Sequence, residues 1–160
     1  MKITATYKGL LTGILMILTA AILFYSFRFS EKGYNQFLVL GIYVTGILWS
    51  LISFKLLSPV PKSFKEYFAE GFKTFIVVTL LMVVYSFVFY KLNPQIMEEG
   101  ILKNEIIARA EGKHTPAEIK DNSIKLKGIF MPMMIAISTM KYLLIGIFVT
   151  LLGAVTLSRK

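Results

Sequence analysis

Few side chains in this sequence are of a kind that does chemistry, and Lys141 is the sharpest of them. It stands in a long apolar run beside Ser138, Thr139, Met140 and Tyr142. An ionisable residue within a membrane-spanning run is a functional candidate by default. Its ammonium could draw an anion or line a polar path, and no Asp or Glu falls inside the apolar runs to neutralise it. A second reading counts back roughly 20 residues, one membrane crossing, from Ser158. That leaves Lys141 less than a turn deep, from where its amine snorkels to the headgroups. Both readings stay open on spacing alone.

The other candidates carry less. Met131, Met133, Met134 and Met140 have the softness that copper(I) prefers, yet no His or Cys accompanies them, and methionine is ordinary filler in apolar surroundings. His114 is the sole histidine, and one imidazole makes neither a metal site nor a positioned base. Glu98, Glu99, Glu105, Glu111, Glu118 and Asp121 alternate with lysines, and pairs such as Glu99 and Lys103 have the i, i+4 spacing of a solvated helix face. There is no cysteine, which removes thiolate nucleophiles, disulfides and thiolate metal sites together. Phosphate-binding loops, nucleophile elbows and zinc-helix motifs are absent too. The expectation is a non-enzyme with no catalytic residues, metal or cofactor.

What would position these residues is a set of helices in lipid. Of 160 residues, 56% are apolar, above the soluble norm, and they fall in long blocks almost free of charge. A hydrocarbon core about 30 Å thick needs roughly 20 such residues of helix. Four spans are expected, over about 9–27, 36–57, 72–92 and 133–157. The first run exceeds a signal-peptide core and lacks a small-x-small cleavage pattern, so it reads as retained. Ser30, Gly33 and Asn35 make the first connection a turn, and Pro59 and Pro61 stop the second span. Tyr25, Tyr43, Tyr85 and Tyr90 suit belt positions or hydrogen bonds within a bundle.

Two further features have recognisable ends. Ser63 with Glu66 is a capping box, opening a helix to about Leu92 whose first turns, over 63–72, are interfacial. Phe64, Phe68, Phe72 and Phe75 share its face. Asn93-Pro94 then reads as cap and first helical residue, Gly112 as a C′ glycine, and Thr115-Pro116-Ala117-Glu118 as a second capping box. The stretch 93–128 is therefore expected to be a polar helical hairpin outside the hydrocarbon, between spans three and four. Its second arm continues into the fourth span, where Pro132 should kink the helix.

Small residues mark where helices approach. Gly9 and Gly13, Gly46 and Ser50, and Gly146, Thr150 and Ala154 repeat small-xxx-small spacing, which lets backbones come close. Their partner helix lies in the same chain or in another. The net charge of +9 comes from bases at the ends of apolar blocks, where they meet lipid headgroups and not nucleic acid. With four spans, both termini and the second connection share one side, with eight bases and two acids. The opposite side has nine bases and seven acids. Lysine density at the second connection, including Lys55, Lys62, Lys65 and Lys73, favours termini inside and hairpin outside.

Several stretches form a set: Tyr67-Phe68-Ala69-Glu70-Gly71-Phe72-Lys73, Tyr90-Lys91-Leu92-Asn93-Pro94, the Glu-rich segment, and Leu157-Ser158-Arg159-Lys160. Together they resemble an uncharacterised four-span membrane family, a domain of unknown function found mainly in Bacteroidota. The likeness is best from Ser63 onward, and no catalytic motif defines it. It implies the inner membrane of a Gram-negative cell and supplies no activity. The fold expected is all-α, a four-transmembrane-helix bundle with an extramembrane hairpin. The function expected is scaffolding or interaction through the hairpin, with a membrane-protein partner or a second copy. A small transporter or channel subunit with Lys141 lining a polar path is the alternative.

Overall fold

The structure is a computed structural model that describes residues 3–27, 34–58 and 60–158. Of the connection expected over 28–35, residues 28–33 lie outside the described residues, as do Pro59, Lys2 and the basic end Arg159-Lys160; Asn35, expected in the turn, instead belongs to the first turn of the second helix. Five α-helices follow in order: α1 Ala5–Phe27, α2 Tyr34–Leu56, α3 Phe64–Leu92, α4 Gln95–Glu111 and α5 Pro116–Ser158. No strand occurs among the described residues. Four of the helices, α1, α2, α3 and α5, are long and apolar enough to cross a membrane.

Helix ends follow local chemistry. Ser63 donates its backbone N–H to Glu66 Oε2 at 2.9 Å, and Glu66 N–H donates to Ser63 Oγ at 3.4 Å, so the capping box opens α3. The backbone N–H of Ser63, the Lys62 ammonium and the Ser63 hydroxyl hold the Glu66 carboxyl down at about 2. The same device opens α5, where Thr115 N–H and hydroxyl meet Glu118 Oε2 at 2.8 and 3.1 Å and lower that carboxyl in turn. Gly112, at φ 64°, closes α4 in the left-handed region, its N–H donating to Arg109 O, a conformation glycine adopts without a Cβ penalty.

One expectation about the helix ends needs correction. Asn93 does not cap α4: Pro94 holds the cap position, with no side-chain cap hydrogen bond. The Asn93 amide turns back and donates to Phe89 O at 2.8 Å, so it closes α3 instead of opening α4. The Asn93 side-chain oxygen accepts from the Gln95 side-chain amide at 3.2 Å. Pro132 lies inside α5, which continues as one helix on both sides of it.

The chain forms two compact units, one of residues 1–82 with 139–160 and one of residues 83–138. In the first, α1, α2, the first part of α3 and the last part of α5 pack as a helical bundle. Its interior is filled by Met16, Tyr43, Ile47, Leu51, Phe75 and Val78, together with Ser50, Thr74 and Thr150. Its exterior is apolar: Leu80 and Phe148 are 61% and 63% exposed, and Leu18, Ile22 and Leu144 are open as well. Hydroxyls within and large aliphatics without invert the order of a water-soluble protein. Together with the four long apolar helices, this is the pattern of a multi-pass membrane protein. In the second unit, Phe130 of α5 is buried and meets Tyr90 of α3 edge-on at 6.3 Å between centroids. A Cβ at Gly100 of α4 would lie 2.9 Å from the same Phe130 ring.

Candidate functional site: the Lys8–Glu70 pair and its cavity

Glycine and hydroxyl residues bring the bundle helices close. A Cβ at Gly9 of α1 would sit 2.7 Å from the Thr74 carbonyl oxygen of α3, and one at Gly13 would sit 2.6 Å from Leu81. A Cβ at Gly46 of α2 would run into the Thr12 side chain of α1, and one at Gly146 of α5 into Tyr43 and Phe75. Gly71 of α3 makes room for Thr150 of α5. Ser50 receives the Thr74 hydroxyl at 2.7 Å across the α2–α3 approach. Gly9, Gly13, Gly46, Ser50, Gly146 and Thr150 thus lie against another helix of the same chain.

Between α1, α2 and α3 these close approaches enclose a polar cluster. Lys8, on the second turn of α1, is only 2% exposed. Its ammonium lies 3.2 Å from Glu70 Oε1 on α3 and 3.3 Å from the Ser50 carbonyl oxygen on α2. One turn further, Thr12 donates to Lys8 O at 2.8 Å, and Thr74 lies one turn beyond Glu70. An ion pair in a low-dielectric interior persists only when its desolvation is offset by good geometry and added hydrogen bonds. The Ser50 carbonyl supplies one of these.

Lys8 immediately precedes the expected first span over 9–27, a position at which a base is expected to meet the headgroups. That is corrected: α1 begins at Ala5, before the expected start, and carries Lys8 into the bundle. A signal existed in the sequence. Lys8 and Thr12, and Glu70 and Thr74, are i, i+4 pairs flanking Gly9 and Gly71, so each polar stripe borders a small residue that draws another helix onto it.

Beside the pair opens a cavity of about 470 Å³. Ile3, Ala5, Phe54 and Leu57 form its apolar wall, and Thr4, Thr6, Ser58, Lys8, Glu70 and Lys73 its polar wall. Its volume lies within the range of small-molecule sites.

Lys141 lies elsewhere. Its side chain is exposed, and its amine stands 5.5 Å from the centroid of the Tyr142 ring. The structure therefore does not bring it into the filled interior with Tyr43 and Phe75. Tyr142 itself is buried, and its carbonyl accepts a hydrogen bond from Tyr43 at 2.9 Å. His114 is exposed, 4.0 Å from Glu118. No group of three His, Cys, Asp or Glu able to hold a metal ion is found among the described residues.

In the second unit, α4 buries no residue, and Leu102, Ile106 and Ile107 stand open at 57–58%. Its charged residues are Glu98, Glu99, Glu105 and Glu111 against Lys103 and Arg109.

No curated protein and no solved structure matches the chain. The family described as Protein of unknown function (DUF4199) matches residues 7–159, nearly the whole sequence and every residue of the bundle interior named above. The chain belongs to the DUF4199 family of proteins of unknown function.

Proposed function

We propose that the protein is a non-enzymatic interaction subunit of the inner membrane, meeting its partner through α4. In this reading both termini face the cytoplasm, while α4 and the first turns of α5 form a hairpin on the periplasmic side. The observation that carries it is the open apolar face of α4 on an otherwise charged helix. Exposed large apolar side chains rimmed by charge mark contact surfaces. The acidic balance of α4 disfavours docking on anionic headgroups, and equally disfavours a second α4. The partner that fits is a different protein with an apolar stripe flanked by basic residues. A conduit has less support, since Lys141 is exposed and Tyr43, Phe75 and Leu51 fill the bundle interior.

A photoreactive residue at Ile106, in native membranes, tests this. The expected result is a discrete adduct with one other protein, absent when the probe stands at Lys120 and lost on Glu98→Lys with Glu99→Lys. Adducts with lipid or a second copy alone, or an adduct indifferent to charge reversal, would overturn it.

A further inference from the structure

The cavity beside the Lys8–Glu70 pair combines features that select a ligand class. Its charged groups are two ammoniums and one carboxylate, and they are not equivalent. Lys8 spends two of its three donors on Glu70 and Ser50, and its charge is balanced by the carboxylate at 3.2 Å. Lys73, one turn along α3 from Glu70, is exposed and has no acidic partner among the described residues. The cavity thus carries one uncompensated positive charge. Around it stand Thr4, Thr6 and Ser58, whose hydroxyls accept or donate as needed. The opposite wall is Ile3, Phe54 and Leu57, which offers a dry surface to an aliphatic portion.

We propose that this cavity binds a singly charged phosphate ester, its phosphate on Lys73 and the threonine hydroxyls and its aliphatic part against Phe54 and Leu57. Charge-assisted hydrogen bonds from an ammonium to phosphate oxygens are among the stronger polar contacts. The Lys8–Glu70 pair contributes rigidity and a spare ammonium donor, and a carboxylate already committed to Lys8 repels the anion less than a free one. The chemistry is shared by two sources, the headgroup of an anionic lipid such as phosphatidylglycerol and a free diester such as glycerophosphoglycerol. The site draws only on the first unit, so it stands or falls independently of any partner of α4.

Native mass spectrometry of the full chain in detergent separates the outcomes, with phosphatidylglycerol, phosphatidylcholine and glycerophosphoglycerol titrated in turn. The expected result is a saturable adduct with phosphatidylglycerol, weakened about tenfold by Lys73→Ala, the worth of one such contact. Lys73→Arg should retain it, and Lys65→Ala, outside the cavity, should leave it unchanged. If glycerophosphoglycerol binds with the same Lys73 dependence, the phosphate is read without the acyl chains and the proposal holds. Equal binding of phosphatidylcholine, or phosphatidylglycerol binding indifferent to Lys73→Ala, would overturn it. Because Lys73 is exposed, its substitution leaves the bundle intact, and an unchanged melting temperature verifies this.

Discussion

Lys8 of α1 and Glu70 of α3, 62 positions apart in sequence, meet at 3.2 Å with side chains only 3% and 14% exposed. They tie the first and third helices to the Ser50 carbonyl of the second. Removing one partner of such a pair strands the other charge in a poor solvent, at a cost of about 3–5 kcal/mol. Lys8→Met alone should therefore lower the unfolding midpoint in detergent strongly. Lys8→Met combined with Glu70→Gln should recover most of the loss. A double variant as unstable as the single one would show that the pair is not coupled.

Close helix approach predicts a second set of losses. Gly46→Ala places a methyl against Thr12, and Gly9→Ala places one against the Thr74 carbonyl. Overpacking of this kind costs about 1–3 kcal/mol. Gly41→Ala, where no atom lies within 4 Å, is the matched control and should be neutral. Equal effects at Gly41 and Gly46 in thermal unfolding would contradict the packing described.

Thr150 presents the reverse case. Its hydroxyl is buried without a hydrogen-bond partner, facing the space that Gly71 leaves. A buried polar group left unmade costs about 1–3 kcal/mol, so Thr150→Val should stabilise the bundle by about 1 kcal/mol. Destabilisation on calorimetry would mean that the hydroxyl has found a partner.

The capping box of α3 gives a pH signature. Glu66 is held at about 2, against 4.5 for the free group. Its contribution is complete above 4.5 and disappears as pH falls through about 2. Ser63→Ala removes the hydroxyl, so the Glu66 midpoint should rise toward the ordinary value while the backbone N–H keeps part of the shift. Carboxyl carbon NMR titration measures both midpoints, and identical values would contradict the cap geometry.

Much of the architecture was legible because its signals are local. Apolar run length marks the four long helices, Ser63–Glu66 and Thr115–Glu118 mark two helix starts, and Gly112 marks one end. The small residues Gly9, Gly46 and Gly146 point to helix contacts through the absence of side chain alone. What was not legible is tertiary. Lys8 reads as a flanking base because nothing near it in sequence is acidic, and its partner Glu70 arrives only on folding. Asn93 has the residue type of a cap, but Pro94 occupies the cap position and turns its amide the other way. Lys141 drew notice as a charge in an apolar run, yet which face of α5 carries it depends on packing that no local pattern encodes.

The absence of cysteine permits the most direct test of the membrane account, since any introduced thiol is the only one. Single cysteines replace Leu80, Phe148, Lys62 and Lys103, and a membrane-impermeant maleimide is applied to intact and to opened cells. The account predicts no labelling at Leu80 or Phe148 in either, labelling at Lys103 in intact cells, and labelling at Lys62 only after opening. Ready labelling of Leu80 and Phe148, both well open on the bundle exterior, would mean that water and not lipid covers that surface.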